Sequence, residues 1–215
     1  MDSISYAQGL IGGTSYCQIL EAKKVQGNKE GFYEAFRAGF YNDTNSFMMS
    51  REEAYNLINE YNTDLQKKAQ EDLERKHNEE AAFNKIKADE FLKKYKEEKN
   101  VVALENGVMY KIIKTGYGPK PTLQDTVVIN YEGKLIDGHV FTSSYKDKKP
   151  LKFPLATIAI EGLKTALLEM PKNSTWEIVI PPELAYGKNE AGAKKEIPSN
   201  SALIFKIELM KVFNP

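Results

Sequence analysis

Residues 131–145 read YEGKLIDGHVFTSSY. The pair Asp137-Gly138 is a strong turn signal, because both residues accept positive φ at little cost, and the spacing predicts a β-hairpin closed by a two-residue turn. Tyr131 and Tyr145 stand at its ends and Phe141 within it. The segment places no nucleophile beside a base and holds no ligand cluster. Its shape is legible; its chemistry is carried by aromatic rings and a row of hydroxyls.

Working outward, residues 101–215 carry further β-rich runs: VMYKIIK, TVVINYEGKL, TWEIVI and ALIFKIELMKV. Turn chemistry separates them, as in GYGPKP and PPELAYG. Between Ile160 and Met170, EGLKTALLEM reads as one short amphipathic helix. Several strands with one helix predict an antiparallel α+β domain in which the helix covers one sheet face.

Upstream the pattern is helical. At SREE, Ser50 and Glu53 have capping-box spacing, and no proline or glycine follows until Gly107. A helix of about 48 residues would be roughly 70 Å long at 1.5 Å per residue, too long to lie against one core. Ala54, Leu57, Ile58, Tyr61 and Leu65 form an apolar stripe near its start, and Phe83, Ile86, Phe91 and Leu92 a sparser one near its end. The middle, QKKAQEDLERKHNEE, is almost wholly polar and holds His77, expected to be exposed. Five acid-before-base pairs four apart (Asp64/Lys68, Glu71/Arg75, Asp72/Lys76, Asp89/Lys93 and Glu90/Lys94) suit a solvated strut. A sustained coiled-coil repeat fails across that middle.

Residues 3–45 read as two short helices. Ile4, Ala7, Leu10, Ile11, Cys17, Ile19 and Leu20 recur at helical spacing, and Phe32, Phe36 and Phe40 form a second series. Glycines at 9, 12, 13, 31 and 39 lower helix stability but allow close helix–helix approach, so a partner for these stripes is expected.

Composition narrows the classes. The 30 Lys+Arg and 30 Asp+Glu cancel, and residues 51–100 hold 11 basic against 13 acidic side chains, so no field attracts nucleic acid. The single cysteine, Cys17, allows no internal disulfide, no Cys-His spacing suggests zinc, and no cofactor or metal is expected. No run of about 18 apolar residues occurs. MDSISYAQGL lacks the basic and apolar regions of a signal peptide. AYGKNEAG lacks P-loop spacing.

Residues 108–212 resemble the isomerase domain of the FKBP family of peptidyl-prolyl isomerases. The likeness runs in order through YEGKLIDGHVFTSS, KKPLKF, Glu161-Gly162, IPPELAYG and IPSNSALIFKIELMKV. The layout of two short helices, one long helix and an isomerase domain is similar to the bacterial macrophage infectivity potentiator and its periplasmic chaperone relatives. It implies a helical dimerisation region at 1–50, a connecting helix at 51–100 and the isomerase domain at 101–215, an antiparallel half-barrel sheet wrapped on a short helix.

The resemblance also implies an aromatic pocket that receives a prolyl ring. Carried over residue by residue, Tyr131, Phe141, Thr142, Ile160, Tyr186 and Phe205 take the catalytic positions. Leu151, Phe153, Ala159, Leu163 and Ile197 take the substrate-binding ones. Backbone N–H of Ile160 and the Tyr186 hydroxyl are expected to hold substrate carbonyls, and the loop from Lys188 to Glu196 to rim the pocket.

Two positions depart from the family. Thr142 stands where Asp is usual; its hydroxyl is expected at most to bond Tyr131 and brings no charge. Leu163 stands where a floor Trp is common, and Trp176 lies on a later strand. His139 is expected to be exposed at a strand edge.

The implied partners are proline-containing unfolded or partly folded proteins, macrolide inhibitors, and a second copy of the chain through the N-terminal helices. The layout points to the periplasm or cell surface of a bacterium if a leader is removed, and to the cytoplasm otherwise. The rival readings are a chaperone or binding module in which Thr142 and Leu163 leave little or no turnover, and a structural protein using the domain as a spacer.

Overall fold

The structure, a computed structural model, describes residues 18, 28–41, 50–146, 148–193 and 195–214. The chain divides into two compact units, residues 1–68 and 69–215. Helix α1 (Lys29–Tyr41) starts at Asn28, whose side-chain oxygen accepts a hydrogen bond from Gly31 N–H at 3.0 Å. Helix α2 (Arg51–Lys96) starts on the capping box: Ser50 Oγ accepts from Glu53 N–H at 3.1 Å, and the Glu53 carboxylate accepts from Ser50 N–H at 2.7 Å. Two amides that the first turn leaves unpaired are thereby satisfied. The helix then runs 46 residues.

Of the N-terminal stripes, Ile4, Ala7, Leu10, Ile11, Cys17, Ile19 and Leu20 lie outside the described residues, as do the side chains of Phe40 and Ala54. Phe32 is partly buried and stacks on the exposed Phe36 at 6.1 Å. Leu57, Ile58 and Tyr61 are exposed. The ion pairs on α2 differ from the five expected: Arg75 binds Asp72 and Glu79, and Lys85 binds Asp89. Exposed pairs of this kind gain little from any one geometry, so spacing alone does not select among them.

The second unit is built on seven antiparallel strands: β1 (Val102–Ala103), β2 (Met109–Lys114), β3 (Thr126–Leu135), β4 (Val140–Ser143), β5 (Leu151–Pro154), β6 (Thr175–Ile180) and β7 (Leu203–Phe213). Their order is β1-β2-β6-β7-β3-β4, and β5 pairs with the first half of β3, on the edge that β4 takes in its second half. The turn between β3 and β4 corrects the two-residue expectation. Gly138 N–H donates to Leu135 C=O at 3.0 Å, Leu135 N–H donates to His139 C=O at 2.9 Å, and Gly138 but not Asp137 has positive φ, 90°. This is a three-residue loop closed by a glycine bulge. Asp137 serves instead as acceptor for His139 N–H at 2.9 Å, and His139 is exposed.

Helix α3 (Glu161–Glu169) covers the inner sheet face, burying Leu163, Ala166 and Leu167 against Ile178, Ile180 and Ile207. Gly162 makes the close approach possible: a Cβ there would stand 2.4 Å from Ile180 Cγ2 and 3.2 Å from Leu184 Cβ. The outer face is covered too. Met109, Val179 and Ile204 form a second cluster with Tyr95, and Phe91, Leu92 and Val101 pack against it. Burial on both faces explains why TWEIVI is nearly continuous in apolar residues rather than alternating.

The covering face of α2 corrects the stripe read from sequence. Phe83 and Ile86 are 56% and 58% exposed, whereas Ala88 and Tyr95 are buried. Ala88, Phe91, Leu92 and Tyr95 recur at three- and four-residue steps and so share one face. Tyr95 fits because its hydroxyl donates to Glu177 Oε1 at 3.0 Å while its ring is enclosed, and that burial holds its pKa well above the ordinary tyrosine range. Phe83 is met from the solvent side by the Lys87 ammonium, 4.3 Å from the ring centre.

Gly162→Ala decides between two opposed effects. Alanine favours helix by about 1 kcal/mol, but overpacking a full core costs about 1–3 kcal/mol, and Ile180 is fully enclosed. The variant is expected to unfold at lower urea concentration than the unaltered chain. An equal or higher midpoint would show that the helix–sheet contact has slack.

Candidate active site

Alternation along β3 places Ile129, Tyr131 and Gly133 on one face. Gly133 lies opposite Thr142 of β4 and Phe205 of β7. A Cβ at 133 would come within 2.7 Å of both Phe141 Cζ and Phe205 Cε1. Its absence lets those rings meet edge to face, 5.7 Å apart at 85°. Sheet geometry and one glycine therefore set two walls of a hollow.

The hollow is a cavity of about 600 Å³ between the sheet, the entrance to α3 and the loop beyond Tyr186. Tyr131, Phe141, Thr142 and Phe205 line it from β3, β4 and β7, and Leu151 and Phe153 from β5. Ala159, Ile160 and Leu163 line it at the start of α3, and Tyr186 and Ile197 from the following loops. All eleven residues singled out from sequence thus surround one space. Phe205, Ile160, Leu163 and Ile197 are buried, while Leu151 and Ala159 are exposed at its edge. Tyr145, at the far end of the hairpin, does not line it and is 39% exposed. Trp176 lies on β6, stacked on Tyr110 at 4.0 Å and 8°, away from the cavity.

Gly192, Ala193 and Glu196 line the cavity from the loop expected to rim the pocket, whereas Ile129, Thr157 and Ile158 were not singled out from sequence. Period-two alternation from Tyr131 would have found Ile129. The others sit in short irregular segments that carry no period. Glu196 is the one carboxylate among the described lining residues; Gly192, with φ of 90°, packs so closely on it that a Cβ would stand 2.6 Å from its Cδ.

The site is poor in charge and holds free donors. Among the described residues, neither Ile160 N–H nor the Tyr186 hydroxyl has a hydrogen-bond partner, and Thr142 makes none to Tyr131. The Thr142–Tyr131 bond allowed for in the sequence reading is therefore not formed. Burial raises the Tyr186 pKa, so its hydroxyl stays protonated to higher pH than a free phenol and remains able to donate. No cluster of potential metal ligands occurs among the described residues.

A cavity of rings with two unengaged donors and, among the described residues, no acid–base pair defines a class of site that binds and holds without forming covalent bonds to its ligand. Comparison with known proteins makes the assignment specific. Residues 118–210 match the family model described as FKBP-type peptidyl-prolyl cis-trans isomerase, and residues 1–112 the one described as the domain amino terminal to it. The peptidyl-prolyl cis-trans isomerase Mip of Coxiella burnetii is 47% identical over 129 residues, 60% of this chain and 55% of that protein. The outer membrane protein MIP of Legionella longbeachae is 39% identical over 165 residues, 77% of this chain and 68% of that protein. The crystal structure of FkpA from Escherichia coli superposes with a TM-score of 0.65 at 31% identity, covering 98% of this chain and 95% of that one. The chain belongs to the FKBP-type peptidyl-prolyl cis-trans isomerases, with an amino-terminal region of the kind that precedes the isomerase domain in Mip and FkpA. It spans little more than half the length of the Coxiella relative.

The pH dependence follows from the lining groups. Burial raises Tyr186, so it loses its proton only above the usual tyrosine range. Catalysed isomerisation of a prolyl peptide by this chain is expected to be level from about pH 6 to 9. A bell-shaped profile in that window would show that a proton is transferred.

Proposed function

We propose that the cavity takes the prolyl ring of an X-Pro segment and accelerates cis–trans isomerisation of its amide without a covalent step. The observation that carries this is the conjunction of an open, ring-lined hollow with two free donors at its edge. Twisting the C–N bond breaks amide resonance, at a barrier of about 18–20 kcal/mol. The twisted amide is less polar than the planar one, so a dry apolar wall of Tyr131, Phe141 and Phe205 destabilises the ground state relative to the transition state. Ile160 N–H and the Tyr186 hydroxyl hold flanking carbonyls so that rotation occurs about one bond. Phe153 and Ile197 enclose the ring, and Leu163 leaves the floor deeper than an indole would.

The substrates proposed are proline-containing unfolded or partly folded proteins, with macrolides as ligands of the same cavity. Exposed Tyr33, Phe36, Leu57, Ile58 and Tyr61 in the first unit support a homodimer that buries them, with two isomerase domains acting on one client as a folding chaperone. The domains proposed are 1–50, 51–100 and 101–215, for dimerisation, connection and isomerisation. The name of the Legionella relative, an outer membrane protein, supports a periplasmic or cell-surface location; no described helix is long and apolar enough to cross a membrane.

A protease-free proline-tetrapeptide assay tests the activity. The unaltered chain is expected to accelerate isomerisation, and Tyr186→Phe to lower kcat/KM by about 2- to 12-fold, as loss of one hydrogen bond of about 0.5–1.5 kcal/mol requires. Suppression of client aggregation with no acceleration would establish the binding-module reading instead. Thr142→Asp is expected to raise the rate if the absent carboxylate limits it. In sedimentation the full chain should run as two copies and Ile58→Glu as one; a monomeric unaltered chain would remove the dimer.

A further inference from the structure

The outer-face cluster around Tyr95 already fixes the end of α2 to the sheet. A second set of contacts lies two to four turns earlier and goes to the loops that frame the cavity. Asn84 Nδ2 donates to Ser199 C=O at 3.1 Å, and Asn200 Nδ2 donates back to Ala81 C=O at 3.0 Å. Ser199 is buried, and two residues before it Ile197 lines the cavity. Asn200 N–H in turn donates to Gly187 C=O at 2.7 Å, next to Tyr186. Asn200 has φ of 56°, in the left-handed region where a side chain is disfavoured and where structure elsewhere must hold it.

These contacts differ from the ion pairs beside them. Lys85 Nζ meets Glu183 Oε1 at 2.6 Å, and His77, exposed on the helix as expected from sequence, has its Nδ1 4.0 Å from Glu190 Oε1. Both pairs are largely exposed, and screening leaves such pairs small. The amide pair is directional, reciprocal and partly buried, and it ends on backbone carbonyls, so it sets the place of a turn rather than adding general attraction.

We infer that Asn84 and Asn200 are positioning residues for the isomerase site: α2 holds the turn at Ser199-Asn200, and through the Asn200–Gly187 bond it sets Tyr186. The helix is thereby part of the catalytic unit. The inference rests on the isomerase reading above, in which Tyr186 holds a substrate carbonyl.

The test uses the full chain. Asn84→Ala removes one donor, Asn200→Gly removes the other while keeping the left-handed backbone, and Glu90→Ala, exposed on the same helix, is the control. Each asparagine variant is expected to lower kcat/KM for a proline tetrapeptide by roughly three- to ten-fold, which corresponds to a coupling of about 0.7–1.4 kcal/mol. In a Tyr186→Phe background the Asn84→Ala loss should shrink to about two-fold or less, because the group it positions has gone. Hydrogen exchange at Asn200 N–H should speed up in Asn84→Ala. A loss of the same size in both backgrounds, no loss, or unaltered exchange at Asn200 would overturn the inference. An unaltered chain with no isomerase activity would overturn the functional reading by itself, and the positioning would then stand or fall on exchange at Asn200 alone.

Discussion

A sheet that is apolar on both faces has to be covered twice. Here Ile178 and Ile180 face inward and Val179 outward on the same strand, so β6 cannot tolerate water on either side. The inner cover is the nine-residue α3, and the outer cover is the last turns of α2. Since α3 is short, it shelters part of the inner face and leaves the rest as a hollow. The cavity is therefore what remains when a long sheet is covered by a short helix, and its walls are core residues that the core does not quite reach.

That origin accounts for the chemistry. Side chains that would otherwise pack on one another, Phe141 and Phe205 among them, present rings to an opening, and the strand crossing between them is thinned to glycine at 133. Polar groups at such a place would be expensive to bury unpaired, and few are present. Two of those that remain, an amide at the start of a helix and a raised-pKa phenol, can donate while carrying no charge at neutral pH. Rotation about an imide asks for little more.

Much of this was readable in the sequence, for identifiable reasons. TVVINYEGKL and TWEIVI coincide with β3 and β6 because β-branched and aromatic residues run from one turn signal to the next. SREE marks the start of α2 because the capping box is a local, reciprocal interaction. The cavity residues came from motif resemblance, and geometry has brought all of them together. What was misread depends on long-range context. Ala88 and Tyr95 became the buried face of α2 because Met109, Val179 and Ile204 lie opposite them, which no helical period reveals. The hairpin gained a third loop residue because Gly138 alone took the positive φ that two residues were equally able to supply. Gly192, Ala193 and Glu196 do rim the cavity, as the resemblance implied for their loop, whose course follows Gly192 and the bridge between Ala191 and Ile197.

The chain has a single tryptophan, and its place has a practical meaning. Trp176 is pressed flat on Tyr110 within the sheet and takes no part in the cavity wall. Its emission will therefore report the integrity of the β-layer and stay nearly blind to whether a ligand is seated. An optical measurement of unfolding can therefore be made with the pocket full or empty, and the difference between the two midpoints reads out occupancy directly.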